Sequence, residues 1–213
     1  MRNLFLVTFL ILLISTNLSA QIDTLQTNNL LDEISANDKN TDSIKLLPDK
    51  ILITQRIFWG KRGLMRNFDR FELTPLKRQE ELKNRRVMLV SHQALGFLTL
   101  GGMIAQGIVG FKLYNGDTNL RGAHEALAVG VNVAYFTTAS LAMFAPPKMM
   151  NERKGFSSIK IHKALAIIHL SGMIATNILA SQLEGNPNLR PYHRAAAITS
   201  FVALEAAMIV IKF

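Results

Sequence analysis

No cysteine occurs in the 213 residues. Disulfides, iron–sulfur clusters, thiolate zinc sites and covalently attached c-type haem are therefore excluded. No activated nucleophile, catalytic carboxylate pair or phosphate-binding loop can be found either. Acidic residues are outnumbered, 15 against 24 lysines and arginines, for a net charge of +9. Such a charge would suit nucleic acid, but the basic residues sit between and beside long apolar runs. That is where membrane proteins keep them, so no nucleic-acid partner is expected. The 49% of hydrophobic residues collect in one N-terminal run and four later ones.

The chain reads in four parts. Residues 1–20 begin with Arg2, continue as an apolar stretch from Leu4 to Ile14 and end on Leu18-Ser19-Ala20. This is the pattern of a secretory signal peptide, with an uncleaved anchor helix as the alternative. Residues 21–50 are rich in Asn, Asp, Thr and Ser without sustained periodicity, and read as a flexible linker. Residues 51–86 form a basic and aromatic extension. In its first half Phe58, Trp59, Phe68 and Phe71 interleave with Arg56, Lys61, Arg62, Arg66 and Arg70. Two compatible readings stand there: a bilayer-interface segment contacting lipid headgroups, and a small cap packed on the helical bundle. Thr74-Pro75 marks a helix start. The next stretch is strongly helix-forming, with Lys77–Glu81 and Glu81–Arg85 one turn apart, and nothing interrupts it before the first apolar run. One long helix is expected, entering the membrane at about Val87.

Residues 87–213 hold four apolar spans, at about 87–111, 124–145, 160–182 and 192–211. Each has about 20 or more residues, enough to cross a hydrocarbon core about 30 Å thick. Pro146-Pro147 ends the second. None shows the polar face a soluble bundle requires. The expected fold class is all-α: an integral membrane four-helix bundle, preceded by a signal peptide and an extramembrane extension.

The spans are one pattern written twice. HQALGFLTLGGMIAQGI from His92 is echoed by HKALAIIHLSGMIATNI from His162, about 70 residues later. Each copy then reaches a polar loop carrying Asn-Leu-Arg (Arg121, Arg190) and, three residues on, a second histidine, His124 or His193. The bundle is thus read as a tandem two-helix repeat. A single histidine at a helix start is ordinarily a cap or an interfacial side chain. Four at matched positions point to a shared chemical duty. In an up-down bundle the first and third spans enter from one side and the second and fourth from the other. His92 and His162 would then lie at one depth, and His124 and His193 at another in the opposite leaflet. Two facing histidines can fill both axial positions of a haem iron, giving a centre that passes single electrons. His169, two turns after His162 on much the same face, is the alternative to His162 as ligand; its counterpart in the first copy is Thr99. Arg121 and Arg190 suit haem propionates, with plain interfacial anchoring as the other reading. Glu205, a carboxylate inside an apolar span, is costly unless paired or protonated; its expected partners are Asn132, Asn177 or a hydroxyl.

In this spacing and pairing the chain resembles the cytochrome b561 family, over roughly residues 87–211. The resemblance implies two b-type haems, one held by His92 with His162 and one by His124 with His193. Many family members carry two further flanking helices, and no ascorbate-binding stretch can be located. The expected function is transmembrane electron transfer in a bacterial-type inner membrane, between quinol and a periplasmic acceptor, as an electron-transfer protein or oxidoreductase subunit. The extension at 21–86 would be periplasmic, although its basic flank runs against the positive-inside tendency. Expected partners are membrane lipid, a quinone or periplasmic redox protein, and a second copy of the chain. The competing readings are haem-free: a transporter relaying protons through the histidines and Glu205, or a structural or assembly factor.

Overall fold

The computed structural model describes residues 45–149 and 155–212. The expected signal peptide and most of the linker lie outside them. No strand occurs among the described residues. The chain divides into two compact units, within which the described residues are 45–149 and 155–212. Each is built on a helical hairpin.

The first unit opens with a short helix, α1 (Ile53–Trp59), and two single turns of 3-10 helix at Leu64–Asn67 and Asp69–Phe71. Helix α2 (Pro75–Tyr114) then runs unbroken for 40 residues. The Thr74 hydroxyl accepts from the Lys77 amide and Pro75 occupies the first turn, the start the sequence indicates. Its end is set by Asn115-Gly116. Gly116 has φ 107°, a left-handed conformation that glycine adopts without steric cost. The Gly116 amide returns to the Leu113 carbonyl and the Asp117 amide to that of Lys112, the paired bonds of a Schellman stop. After a 3-10 turn at Thr118–Leu120, α3 (Arg121–Phe144) runs back until Pro146-Pro147 forbids continuation. The second unit repeats the plan: α4 (Ser158–Gln182), a 3-10 turn at Pro187–Leu189, and α5 (Arg190–Lys212).

Both hairpins are antiparallel. Moving forward along α2 from His92 to Gly102 to Gln106, the neighbours on α3 step backward from Thr138 to Val131 to His124. Along α4, His162, Gly172 and Thr176 meet Ala207, Ser200 and His193 in the same way. Glycines set the closeness of approach. A Cβ on Gly102 would stand 3.0 Å from Val131 Cγ2, and one on Gly172 3.1 Å from Ser200 Cβ and 3.2 Å from its Cα. In the first hairpin Thr99, Met103, Val131, Tyr135 and Thr138 are buried, and in the second His169, Met173, Ser200, Leu204 and Ala207.

Four helices are long and apolar enough to cross a membrane: α2, α3 and α5, the last two with their preceding 3-10 turns, and α4. Large apolar side chains stand exposed along all four, among them Leu98, Val133, Ile167 and Val202. Backbone polar groups are satisfied within each helix, so such surfaces can face hydrocarbon. By helix length and composition this is a multi-pass membrane protein.

The extension folds as a cap on the end of α3. The carbonyls that a helix C-terminus leaves unpaired are taken one after another by side chains of the extension and of the first turns of α2. Thr54 Oγ1 donates to Met143 O (2.7 Å), Trp59 Nε1 to Phe144 O (2.9 Å) and Gln55 Nε2 to Ala145 O (3.0 Å). Arg85 donates to Pro146 O (2.7 Å) and Arg78 to Pro147 O. The ion pairs expected from helix spacing are rearranged. Glu81, fully buried, pairs with Arg78 and with Arg66, while Lys77 goes to Glu72 and Arg85 to the Pro146 carbonyl. The reason is tertiary. Arg66 already donates to the carbonyls of Gly60 and Trp59, and Glu81 is the carboxylate that meets it there. Leu47 is buried and Leu46 O accepts from Arg78, so the last residues before α1 are packed too.

Candidate functional site

Each of the four repeated histidines is half-buried and sits on the face of its helix that meets the other helix of its own hairpin. In three of them Nδ1 reaches a main-chain carbonyl across the hairpin. His92 Nδ1 lies 2.8 Å from Thr138 O, His162 Nδ1 2.9 Å from Ala207 O, and His193 Nδ1 3.0 Å from Thr176 O. A carbonyl can only accept, so Nδ1 must carry the proton. The neutral ring then bears its lone pair on Nε2. Metal-ligating histidines are commonly held by such a bond, which fixes the tautomer and ring plane and raises the basicity of the ligating nitrogen. An axial ligand to haem iron binds through an unprotonated ring nitrogen, so a ring protonated on Nδ1 is the tautomer compatible with that group.

His124 differs. The Gln106 side-chain amide lies 3.3 Å from its Nε2. Donation from this amide engages the lone pair that an iron would need. The ring is seated against Gly110, where a Cβ would come within 2.8 Å of His124 Cε1. Gln106 Oε1 is buried without a hydrogen-bond partner among the described residues, which marks this corner as polar and incompletely satisfied. Gln106 escaped the sequence reading. An amide inside an apolar run was the available signal.

Within each hairpin the two histidines are far apart. His92 and Gln106, the neighbour of His124, are separated by 14 positions of α2, about 21 Å of helix rise. The same spacing along α4 separates His162 from Thr176, the neighbour of His193. Arg121 and Arg190 are both exposed at the first residues of α3 and α5, one turn ahead of His124 and His193.

His169 is buried inside its hairpin, and its main-chain carbonyl accepts from Ser200 Oγ at 2.8 Å. His162, not His169, makes the bond that matches the one at His92. Glu205 is half-buried. The amides of Asn132 and Asn177 donate to Ala128 O and Met173 O, each one turn back in its own helix. No cluster of three or more metal-ligating side chains forms among the described residues.

Fold and helix composition define the class: a multi-pass membrane protein whose described residues are all-helical and include two helical hairpins. No family model, curated protein or solved structure matches the chain.

Proposed function

We propose that this protein is a b-type dihaem membrane cytochrome, similar to the cytochrome b561 family, that passes electrons between the two faces of a bacterial-type inner membrane. The proposal takes the two hairpins as tandem repeats of one four-helix bundle. The observation that carries it is the Nδ1-to-carbonyl bond at His92, His162 and His193. A structural histidine needs no particular nitrogen turned inward, whereas a ligand does.

His92 with His162 would hold one haem b and His124 with His193 the other. Bound there, haem would supply reversible one-electron chemistry. The protein's part is to fix the imidazoles. The Thr138, Ala207 and Thr176 carbonyls hold Nδ1–H and keep each ring plane from turning. At His124 the Gln106 amide would have to yield Nε2. Arg121 and Arg190, at the water-facing helix starts next to His124 and His193, would neutralise propionates. A quinone and a periplasmic redox protein are the proposed electron partners, with the capped end of the first hairpin on the periplasmic side.

The Gln106–His124 contact favours a second reading, in which the chain is haem-free and His124, Gln106 and Glu205 belong to a proton-relay path or serve only to hold the helices. One experiment separates the two. Detergent-purified protein from haem-replete cells should show a sharp α-band on dithionite reduction and about two haems per chain. His92→Ala and His193→Ala should each remove about one haem, and the double variant both. Gln106→Leu should keep the haem content. A colourless protein, or full haem retention in the double variant, would overturn the cytochrome reading.

A further inference from the structure

The cap presents an outward surface that its bonding to α3 does not use. In α1, Thr54, Gln55 and Trp59 turn toward the end of α3 and donate to its last carbonyls. The opposite side of this helix carries Ile53 and Ile57, one turn apart, which are 75% and 52% exposed. Leu64 and Phe68 in the following turn are 53% and 60% exposed. Four large apolar side chains in one small cap form an unfavourable surface to leave in water.

Cations surround them. Arg56, Lys61, Arg62 and Arg70 are all exposed, and Arg70 lies over the Phe71 ring at 5.7 Å. Of the nearby acids, Asp49 pairs with Lys45 and Glu72 with Lys77. Beside α1 opens a cavity of about 680 Å³. Its wall includes Arg56, Lys61 and the Lys45–Asp49 pair together with Leu47, Ile51 and Leu73, so cationic and apolar side chains share one recess.

Position decides what this surface meets. The cap is bonded to three successive carbonyls, from Met143 to Ala145, at the very end of a helix long and apolar enough to be a membrane span. The end of a span lies at the headgroup layer, so the cap is held at that depth by its own hydrogen bonds. Apolar side chains there meet the acyl boundary, and cations meet phosphates.

We propose that residues 45–73 form a docking surface for anionic phospholipid, with Arg56 and Lys61 receiving a headgroup at the mouth of the cavity and Ile53, Ile57 and Phe68 entering the acyl boundary. The surface holds the cap, and through the carbonyl bonds the end of α3, at a fixed depth. Haem plays no part in it.

The absence of cysteine makes the test direct. Ile57→Cys and Phe68→Cys each supply a unique thiol for a nitroxide, in full-length protein reconstituted into nanodiscs of phosphatidylcholine with or without phosphatidylglycerol. Both labels should collide more with dissolved oxygen than with a water-soluble nickel chelate, and more so when phosphatidylglycerol is present. In unlabelled protein, spin-labelled phosphatidylglycerol should be enriched over phosphatidylcholine at the protein surface. That enrichment should fall about fivefold for each charge removed in Arg56→Gln and Lys61→Gln. Unchanged Trp59 emission would report an intact cap, since Trp59 is the sole tryptophan and bonds to Phe144 O. Labels open to the nickel chelate in both lipids would overturn the proposal. So would labels shielded from both reagents, which would mean that protein covers the face; dipolar broadening would identify a second copy as the cover. Equal enrichment of the two lipids would overturn it as well.

Discussion

At the scale of single residues, hydrogen-bond direction carries the most information. The histidines at 92, 162 and 193 each face a different residue, yet each gives its Nδ1 proton to a carbonyl on the opposing helix. Because the acceptor is main chain, no substitution at Thr138, Ala207 or Thr176 removes it. The ring orientation therefore depends on helix register, not on a partner side chain that mutation could delete. Glycine acts at the same scale through space. Gly101 has nothing within 4 Å of a built Cβ, whereas a Cβ at Gly172 would press on the main chain of Ser200. Gly101→Ala should raise stability by about 0.5–1 kcal/mol, the ordinary gain of removing a helical glycine. Gly172→Ala should fall below the parent protein, because Ser200 main chain cannot swing aside as a side-chain tip would. Denaturant unfolding in mixed micelles, read by helical circular dichroism, would compare the two. A gain at Gly172 would mean that the helices are not held at this distance.

At the scale of elements, the first hairpin is longer than its membrane-crossing part. The early turns of α2 carry Arg78, Glu81 and Arg85, which with Arg66 build a buried charged knot beside the α3 terminus. Glu81 is wholly enclosed and serves two guanidinium groups. Removing one partner of such an arrangement leaves uncompensated buried charge, at a cost of about 3–5 kcal/mol. Glu81→Ala should therefore release the cap from α3 while leaving the spanning helices formed. Limited proteolysis should then cut within residues 50–75, where the parent protein resists. Loss of helix signal as a whole would instead mean that the cap is required for the hairpin itself. The sequence displayed the charges but assigned them to the wrong partners. Spacing along α2 favours Lys77–Glu81 and Glu81–Arg85; the approach of Arg66 from a separate turn overrides both.

At the scale of the whole molecule, the exposed apolar side chains of all four helices call for lipid. The protein should remain in the pellet when membranes are washed with alkaline carbonate and should be released only by detergent. Recovery in the wash would contradict the spans. In both hairpins a glycine sets a close approach ten positions after the first histidine, Gly102 against Val131 and Gly172 against Ser200.

The helices were legible in the residues alone, because their causes are local or periodic. Runs of about 20 apolar residues, Thr74-Pro75 at the start of α2 and Pro146-Pro147 after α3 act through neighbouring residues and through solvent. The four histidines stood out in the same way, since repetition is visible without coordinates. Three things came only with the folded arrangement: which nitrogen of each ring is protonated, that His124 faces Gln106, and that side chains from residues 54–85 close the end of α3. Those outcomes depend on which atoms meet across a helix crossing. Residues 46 or 90 positions apart in the chain are brought together by register and glycine contacts, and no local pattern encodes that meeting.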